Sequence, residues 1–409
     1  MVRTKILHVN NYSYSKGGSD KYYIELLKGL HQKPDLLVRS FAPLTKRAHQ
    51  DNLNLNEKIF VKDTKRANVS FIFSVKSLFY FWKTVKKFRP DIIHLHIYYG
   101  QLTSSILLPL LAIRNVKIVQ TLHEYKLICP IQSTLNKGVF CDKCKHGSYS
   151  SVMNQGCNSR GKMHSLALYM ECTLDYYIRK ILRNKISLLS VSSYQNKILT
   201  SRGIKTEIIH TIPLFSSFPI TKTIIPLEKT KSLNVIFVGR LEVQKGIYHL
   251  IEFVKRSPFI ATLKIVGDGD EKNKIKDLVN KDPILSKKVK LYGSRFGKEL
   301  INLIDISDVF INPSQYLETF GLVNIEAMSR GKIVLSSKSG ALGEVIEDGV
   351  NGFLFDPKIK KSIDESLNKI IANPNLYQIQ KNSIEKAEKN SIENHIEKIL
   401  IYYNSVLSK

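Results

Sequence analysis

Short β-branched runs alternate with amphipathic segments along the whole chain. In the front half KILHVN (5–10), DIIHLHIY (91–98), KIVQTLH (117–123) and ISLLSVSS (186–193) are apolar nearly throughout. Runs of that kind are strands covered on both faces of a parallel sheet. Between them SDKYYIELLKGL (19–30) and VKSLFYFWKTVKKF (75–88) carry helical periodicity. A second series starts at LNVIFVGRL (233–241) and continues through ATLKIVGDGD (261–270), VKLYGS (289–294), DVFINPS (308–314), KIVLSS (332–337) and GFLFDP (352–357). The pattern predicts an α/β protein of two doubly wound, Rossmann-like domains. LFSSFPITKTIIPLEKTKS, with Pro219 and Pro226 and no clear period, places the boundary near 216–232. Residues 1–218 then form the first domain, 219–232 a linker and 233–390 the second domain. A last helix pattern in 391–409 is available to pack back on the first. Two such domains face a central cleft, and open sheets bind ligands at the carboxyl ends of their strands.

Composition changes this picture little and charge changes it more. The 409 residues suffice for two or three domains, and 43% hydrophobic content is ordinary for a globular chain. No run reaches the length of a bilayer span, and the N-terminus enters a strand pattern without the features of a signal peptide. A cytoplasmic location is the expectation. The net charge is +27. Residues 1–218 hold 33 Lys and Arg against 12 Asp and Glu, leaving 29 against 23 for the remainder. A basic front domain attracts an anionic partner, and an inner membrane face is the expected one. Nucleic acid is disfavoured, because the basic residues form no recognisable reading module.

The chemistry concentrates where strands of the second series end. In VIFVGRLEVQKG, Gly239 closes a strand, Arg240 follows, and Lys245 precedes Gly246 and a helix. Two cations at a strand's carboxyl end beside a helix start suit a diphosphate. In PSQYLETFGLVNIEAMSRGK (313–332), Glu318 lies in a loop and Glu326 in the second turn of the helix that follows. Ionised carboxylates accept hydrogen bonds from vicinal sugar hydroxyls. Backbone N–H groups around Phe320, Gly321 and Leu322 are suited to anionic oxygen.

GRLEVQKG, VGDGD, DVFINPS, ETFGLVNIEAMSRGK and SGALGEVIEDGVNGFLFDP, in that order and spacing, resemble the C-terminal half of the retaining glycosyltransferases of family 4, which have the GT-B fold. The resemblance extends over roughly residues 4 to 357. It implies that Glu326 binds the nucleotide ribose, Glu318 the donor-sugar hydroxyls, and Arg240 and Lys245 the leaving diphosphate. Gly239, Gly267 and Asp268 fall in the turns that approach the nucleotide. In the front half, KGGSDKYY places Gly17 and Gly18 in the glycine-rich loop near donor phosphate and acceptor. TLHEY places His123 at the family's His-Asp step beside the reacting sugar, with Glu124 where Asp is commoner. His94 and His96 alternate on one strand and share a face, a role in packing or in supporting the site from behind.

The implied reaction moves a hexose from a UDP- or GDP-sugar to a saccharide or lipid-linked acceptor in cell-surface polysaccharide synthesis. It requires no cofactor and no metal. Asp268 and Asp270 imitate a metal-binding Asp-x-Asp pair, but GDGD follows a strand and reads as a turn. A nucleotide-sugar epimerase of the same fold, or a basic nucleic-acid-binding protein, is the alternative. Five cysteines remain. Cys129, Cys141, Cys144 and Cys157 are spaced C-x11-C-x2-C-x12-C within an insertion at about 129–157. In a cytoplasmic chain that spacing is compatible with structural zinc or with reduced, separately buried thiols.

Overall fold

The structure is a computed structural model that describes residues 3–44, 57–60, 71–136, 138–158, 160–227 and 232–408. Part of the expected linker, 228–231, lies outside the described residues. In chain order the strands are β1 (Thr4–Val9), β2 (Leu36–Leu44), β3 (Glu57–Phe60), β4 (Ile92–Leu95), β5 (Lys117–Leu122), β6 (Leu135–Asn136), β7 (Val139–Phe140), β8 (Ile186–Ser190) and β9 (Ile209–Thr211). They continue with β10 (Leu233–Val238), β11 (Ile260–Val266), β12 (Val289–Gly293), β13 (Val309–Asn312), β14 (Ile333–Ser337) and β15 (Phe353–Phe355).

The chain divides into two compact units, Met1–Pro213 with Ile392–Lys409, and Leu214–Ser391. The division falls at 213/214, earlier than the 218 read from the sequence. Ser216 N donates to Asn390 O at 3.0 Å and Asn390 Nδ2 to Leu214 O at 3.1 Å, which ties this stretch to the second unit.

The first unit is built on a seven-stranded parallel sheet of order β3-β2-β1-β4-β5-β8-β9. Ile6, Leu7, Val9, Ile92, Ile93, Ile118 and Val119 are fully buried, as strands covered on both faces require. The helix Gly18–His31 returns from β1, and Val75–Phe88 covers β2, with Phe81 packed edge-on against Phe41 at 4.9 Å. The final helix, Ile392–Leu407, buries His395, Ile396, Ile399, Tyr402 and Tyr403 in this unit. Tyr22 Oη and His395 Nε2 are 2.8 Å apart, and His395 Nδ1 is 2.8 Å from Pro213 O.

The second unit holds a six-stranded parallel sheet of order β12-β11-β10-β13-β14-β15. Its core joins Val235, Phe237, Leu263, Ile265, Val309, Ile311, Ile333 and Leu335 to the helix Ile247–Arg256 through Leu250, Ile251 and Val254. In both sheets the order reverses once, between β1 and β4 and between β10 and β13. Loops leaving the carboxyl ends of strands diverge at such a reversal and leave a crevice, the favoured ligand position in open α/β sheets.

Candidate functional site

Polar residues follow the strands at the two reversal points. In the second unit β10 ends at Val238, and Gly239, Arg240 and a single turn Val243–Lys245 follow. β13 ends at Asn312 and leads into the 313–321 loop and the helix Leu322–Ser329. Lys245 Nζ meets Glu318 Oε1 at 2.6 Å, so the cation after one strand is paired with the carboxylate after its neighbour. Gln244 O also accepts the N–H groups of Gln315 (2.9 Å) and Tyr316 (3.2 Å), which locks the two loops together. Arg240 is exposed and paired with Glu242 at 2.8 Å.

The loop bearing Glu318 is held from below. Ser337 Oγ donates to Ser314 O at 2.6 Å, Ser339 Oγ to Tyr316 O at 2.8 Å, and Ala341 N to Glu318 O at 2.8 Å. Gly340 permits this approach. Its φ is +64°, and a Cβ there would stand 2.4 Å from Glu318 N and O. These positioning residues, in SSKSGALG, escaped the sequence reading. The Ser-Gly cluster behind a strand was the available signal.

Glu326 is 5% exposed on a helix that also buries Asn324, Ile325, Ala327 and Met328. A carboxylate at that depth is not a solvated helix start. Asn312 Nδ2 donates to Asn324 Oδ1 (3.1 Å) and Asn324 Nδ2 to Ser336 Oγ (3.3 Å), fixing the start of this helix against β13 and β14. Gly321 is its N-cap, and Phe320 beside it is buried. Gly267, at the end of β11, packs on Gly239; its φ is +144°, and a Cβ would lie 1.8 Å from Gly239 O. Asp268 forms a turn: its carboxylate accepts from Gly269 N (2.9 Å) and pairs with Lys272 (2.7 Å). Those bonds, Lys272 first, hold its pKa below the usual carboxylate range.

In the first unit β1 leads through Asn10 and Asn11 to Gly17, the N-cap of Gly18–His31. Asn10 Nδ2 donates to the buried Asp20 at 2.9 Å. Burial raises the Asp20 carboxyl to about 6, against the opposing pull of that bond and of Lys16. His123 follows β5 and heads a column of rings. His123 Nε2 is 3.3 Å from His96 Nδ1, and His96 Nε2 is 3.1 Å from His8 Nδ1. His94 stacks on His96 at 4.4 Å and bonds Thr121 Oγ1 at 2.7 Å and the Tyr403 hydroxyl. Burial lowers His8 and His123 to about 3, His395 to about 4, and His94 and His96 well below the ordinary value. All five are neutral at pH 7, so His123 offers a hydrogen bond and no charge. Ligand-capable atoms of His8, His94 and His96 lie within 4.8 Å of one another. Their rings nevertheless stack, with nitrogens turned to each other, Thr121 and Tyr403. That is a hydrogen-bonded column and not a convergent ligand set.

Within each unit the structure therefore gathers Arg240, Lys245, Glu318, Gly267 and Asp268 at the ends of β10, β11 and β13, and Gly17, Gly18 and His123 at the ends of β1 and β5. Cys129, Cys141, Cys144 and Cys157 lie in the segment between β5 and the helix Lys162–Ile181.

Residues 221–390 match the family model described as glycosyl transferases group 1. A lipopolysaccharide 1,2-N-acetylglucosaminetransferase of Salmonella typhimurium is 30% identical over 36% of this chain and 41% of its own length. A UDP-Gal:alpha-D-GlcNAc-diphosphoundecaprenol alpha-1,3-galactosyltransferase of Escherichia coli is 26% identical over 85% of this chain and 81% of its own. The first curated relatives are matched over only 35% to 41% of their length. Among solved structures, Anabaena HepE in complex with UDP and glucose aligns with a TM-score of 0.68 and 20% identity, covering 98% of this chain and 100% of that one. The fold is GT-B.

Proposed function

We propose that the chain is a retaining glycosyltransferase that moves a hexose from a nucleoside-diphosphate sugar to a saccharide acceptor in cell-surface polysaccharide synthesis. The observation that carries this reading is the Lys245–Glu318 pair at the β10/β13 reversal, inside the segment matching the group 1 family. A uridine donor is favoured by the UDP and glucose in HepE and by the UDP-galactose named for the Escherichia coli relative. That relative's diphosphoundecaprenol acceptor favours a lipid-linked one here.

Each side chain has a distinct task in this reading. Arg240 and Lys245 offset the charge that develops on the departing diphosphate, the largest electrostatic demand of the reaction. Glu318, within reach of Lys245, accepts from sugar hydroxyls and holds the ring against the leaving group. Glu326 accepts from the ribose hydroxyls. Neutral His123 supplies a hydrogen bond on the acceptor side. The acceptor oxygen forms its bond to the anomeric carbon on the face from which the phosphate oxygen leaves. The acceptor proton passes to that phosphate oxygen, so configuration is retained without a protein nucleophile. Lys and Arg neutralise the diphosphate, and turnover proceeds without added metal.

The basic first unit brings the enzyme to the inner membrane face. No described helix is long and apolar enough to cross a membrane. Val75–Phe88 instead exposes Val75, Phe79, Tyr80 and Trp82 beside Lys76, Lys83, Lys86 and Lys87.

Calorimetry with UDP and GDP, followed by NMR of the product's anomeric centre, tests the proposal. UDP binding that is weakened by Lys245→Ala, with a product retaining the donor's configuration, is the expected result. Absence of nucleotide binding, or free epimer released without acceptor, overturns it.

A further inference from the structure

The segment between β5 and the helix Lys162–Ile181 has little regular structure of its own. It contains the hairpin β6–β7, of two residues per strand, and the single turn Ser151–Asn154. Four of the five cysteines lie in it, each on a different piece. Cys129 closes a turn after β5, its N–H donating to Tyr125 O at 2.9 Å and its carbonyl accepting from Gln132 N at 2.8 Å. Cys141 follows the hairpin and donates to Thr134 O at 2.8 Å. Cys144 precedes a tight turn in which Lys145 and Ser148 exchange backbone hydrogen bonds of 3.1 and 2.9 Å. Cys157 comes just after the Ser151–Asn154 turn.

These four pieces meet around one cavity of about 10 Å³, lined by Cys129, Cys141, Cys144 and Cys157. That volume admits one water-sized guest. Arg202 also lines it. This side chain arrives from the end of the helix Ser193–Ser201, is buried, and donates to Cys141 O at 2.9 Å. Cys172, the fifth cysteine, is not part of the lining. It packs with Cys144 and Tyr149 and faces Lys126 and Glu171 in a separate cavity.

We propose that Cys129, Cys141, Cys144 and Cys157 bind one zinc ion as a four-thiolate structural site. Zinc takes four sulfur ligands at about 2.3 Å in tetrahedral geometry, which sets the sulfurs about 3.8 Å apart around an ion of this cavity's size. No three of these four sulfurs lie mutually within 4.8 Å, so coordination draws the side chains inward around the cavity. Each thiol gives its proton to solvent on binding. The resulting centre carries two net negative charges, and the buried Arg202 guanidinium offsets part of them. The ion ties together four chain pieces that share little regular secondary structure. No fourth position is left open, so the site is structural and takes no part in sugar transfer.

The full chain, purified reduced and without added chelator, is to be tested by metal analysis and by cobalt exchange. One zinc per chain, released by a mercurial thiol reagent, and the intense visible bands of tetrahedral cobalt thiolate are expected. Cys144→Ser and Cys157→Ser lower zinc retention by about tenfold or more, whereas Cys172→Ala keeps it. Should a serine variant fail to fold, the cobalt spectrum of the unaltered chain still decides. Trace metal only, no cobalt thiolate bands, or a disulfide within the set overturns the proposal. None of these readouts uses turnover, so their failure leaves the transferase reading standing, and failure of that reading leaves the metal count unchanged.

Discussion

Lys245 Nζ lies 2.6 Å from Glu318 Oε1, so the cation assigned to the diphosphate is already engaged by the carboxylate assigned to the sugar. In the proposed reading, a bound diphosphate shares Lys245 with Glu318. Glu318→Gln removes that competition, so UDP affinity stays unchanged or rises a few-fold while turnover with the sugar donor falls. Glu326→Gln weakens UDP and UDP-sugar alike, because both carry the ribose. A charged hydrogen bond contributes roughly 1.5–3 kcal/mol, so each affected quantity falls about ten- to a hundred-fold. Calorimetry with UDP beside steady-state rates separates the two. Equal losses of UDP affinity in both variants would refute the division of labour.

Gly340→Ala tests the support beneath Glu318. The added methyl meets Glu318 backbone at 2.4 Å in a left-handed conformation, so the loop has to move. Strain of this kind costs about 1–3 kcal/mol, enough to lower the melting temperature by a few degrees without unfolding the chain. Turnover is expected to fall about tenfold or more, with UDP affinity far less affected. Gly343→Ala, where a Cβ meets nothing within 4 Å, is the neutral control. Full activity in Gly340→Ala would show that Glu318 needs no exact placement.

Much of this arrangement is legible in the sequence. The helix expected over 75–88 is Val75–Phe88, and all ten strand runs read from the sequence fall in strands of the two parallel sheets. Such runs are legible because burial on both faces leaves no alternation to confuse them. β2, β3 and β9 were not read. β2 is interrupted by Arg39, Ser40 and Pro43, with Arg39 shielded over the Phe88 ring at 4.7 Å, and β9 has only three residues. His94 and His96 were placed on one face, and they stack. That the column runs on to His8 and His123 depends on the pairing of β1 with β4 and β4 with β5, which no local pattern encodes. The same holds for Gly340 under Glu318: a contact set by strand order has no signature in spacing.

The column makes the first unit acid-sensitive. Burial holds His8 and His123 at about 3, His395 at about 4, and His94 and His96 well below their ordinary value when folded, but the unfolded chain protonates each near 6.5. The unfolded state therefore binds more protons over this window, and stability falls as pH drops through 6.5. Asp20 acts oppositely. Its folded carboxyl titrates at about 6 against 3.8 unfolded, so acidification between those values favours folding. Five imidazoles outweigh one carboxyl, each contributing about 1.4 kcal/mol per pH unit below its unfolded pKa. Trp82 is the sole tryptophan and lies in the first unit, so its fluorescence follows this unit in denaturant. The midpoint is expected to drop steeply from about pH 7.5 to about pH 5. A flat profile would mean that the rings are charged or hydrated in the folded protein.

Trp82 also serves to test the proposed membrane association. It sits on the exposed face of Val75–Phe88 with Phe79 and Tyr80, and Lys86 Nζ lies 4.3 Å from its ring centre. The helix carries no acidic residue. Anionic lipid attracts each Lys near the surface by about 1 kcal/mol, while the aromatic rings enter the headgroup boundary. Vesicles containing phosphatidylglycerol are therefore expected to shift Trp82 emission to the blue and to sediment the protein, both reversed by salt. Changing Lys83, Lys86 and Lys87 to Gln removes about 3 kcal/mol, on the order of a hundredfold in partitioning at low ionic strength. Phe79→Ser weakens insertion with less change in salt dependence, because it removes the apolar contribution and leaves the charges. The fold is indifferent to all four changes, since these side chains face solvent. Equal binding to neutral and anionic vesicles, or an emission maximum that does not move, would assign the basic face to something other than a lipid surface.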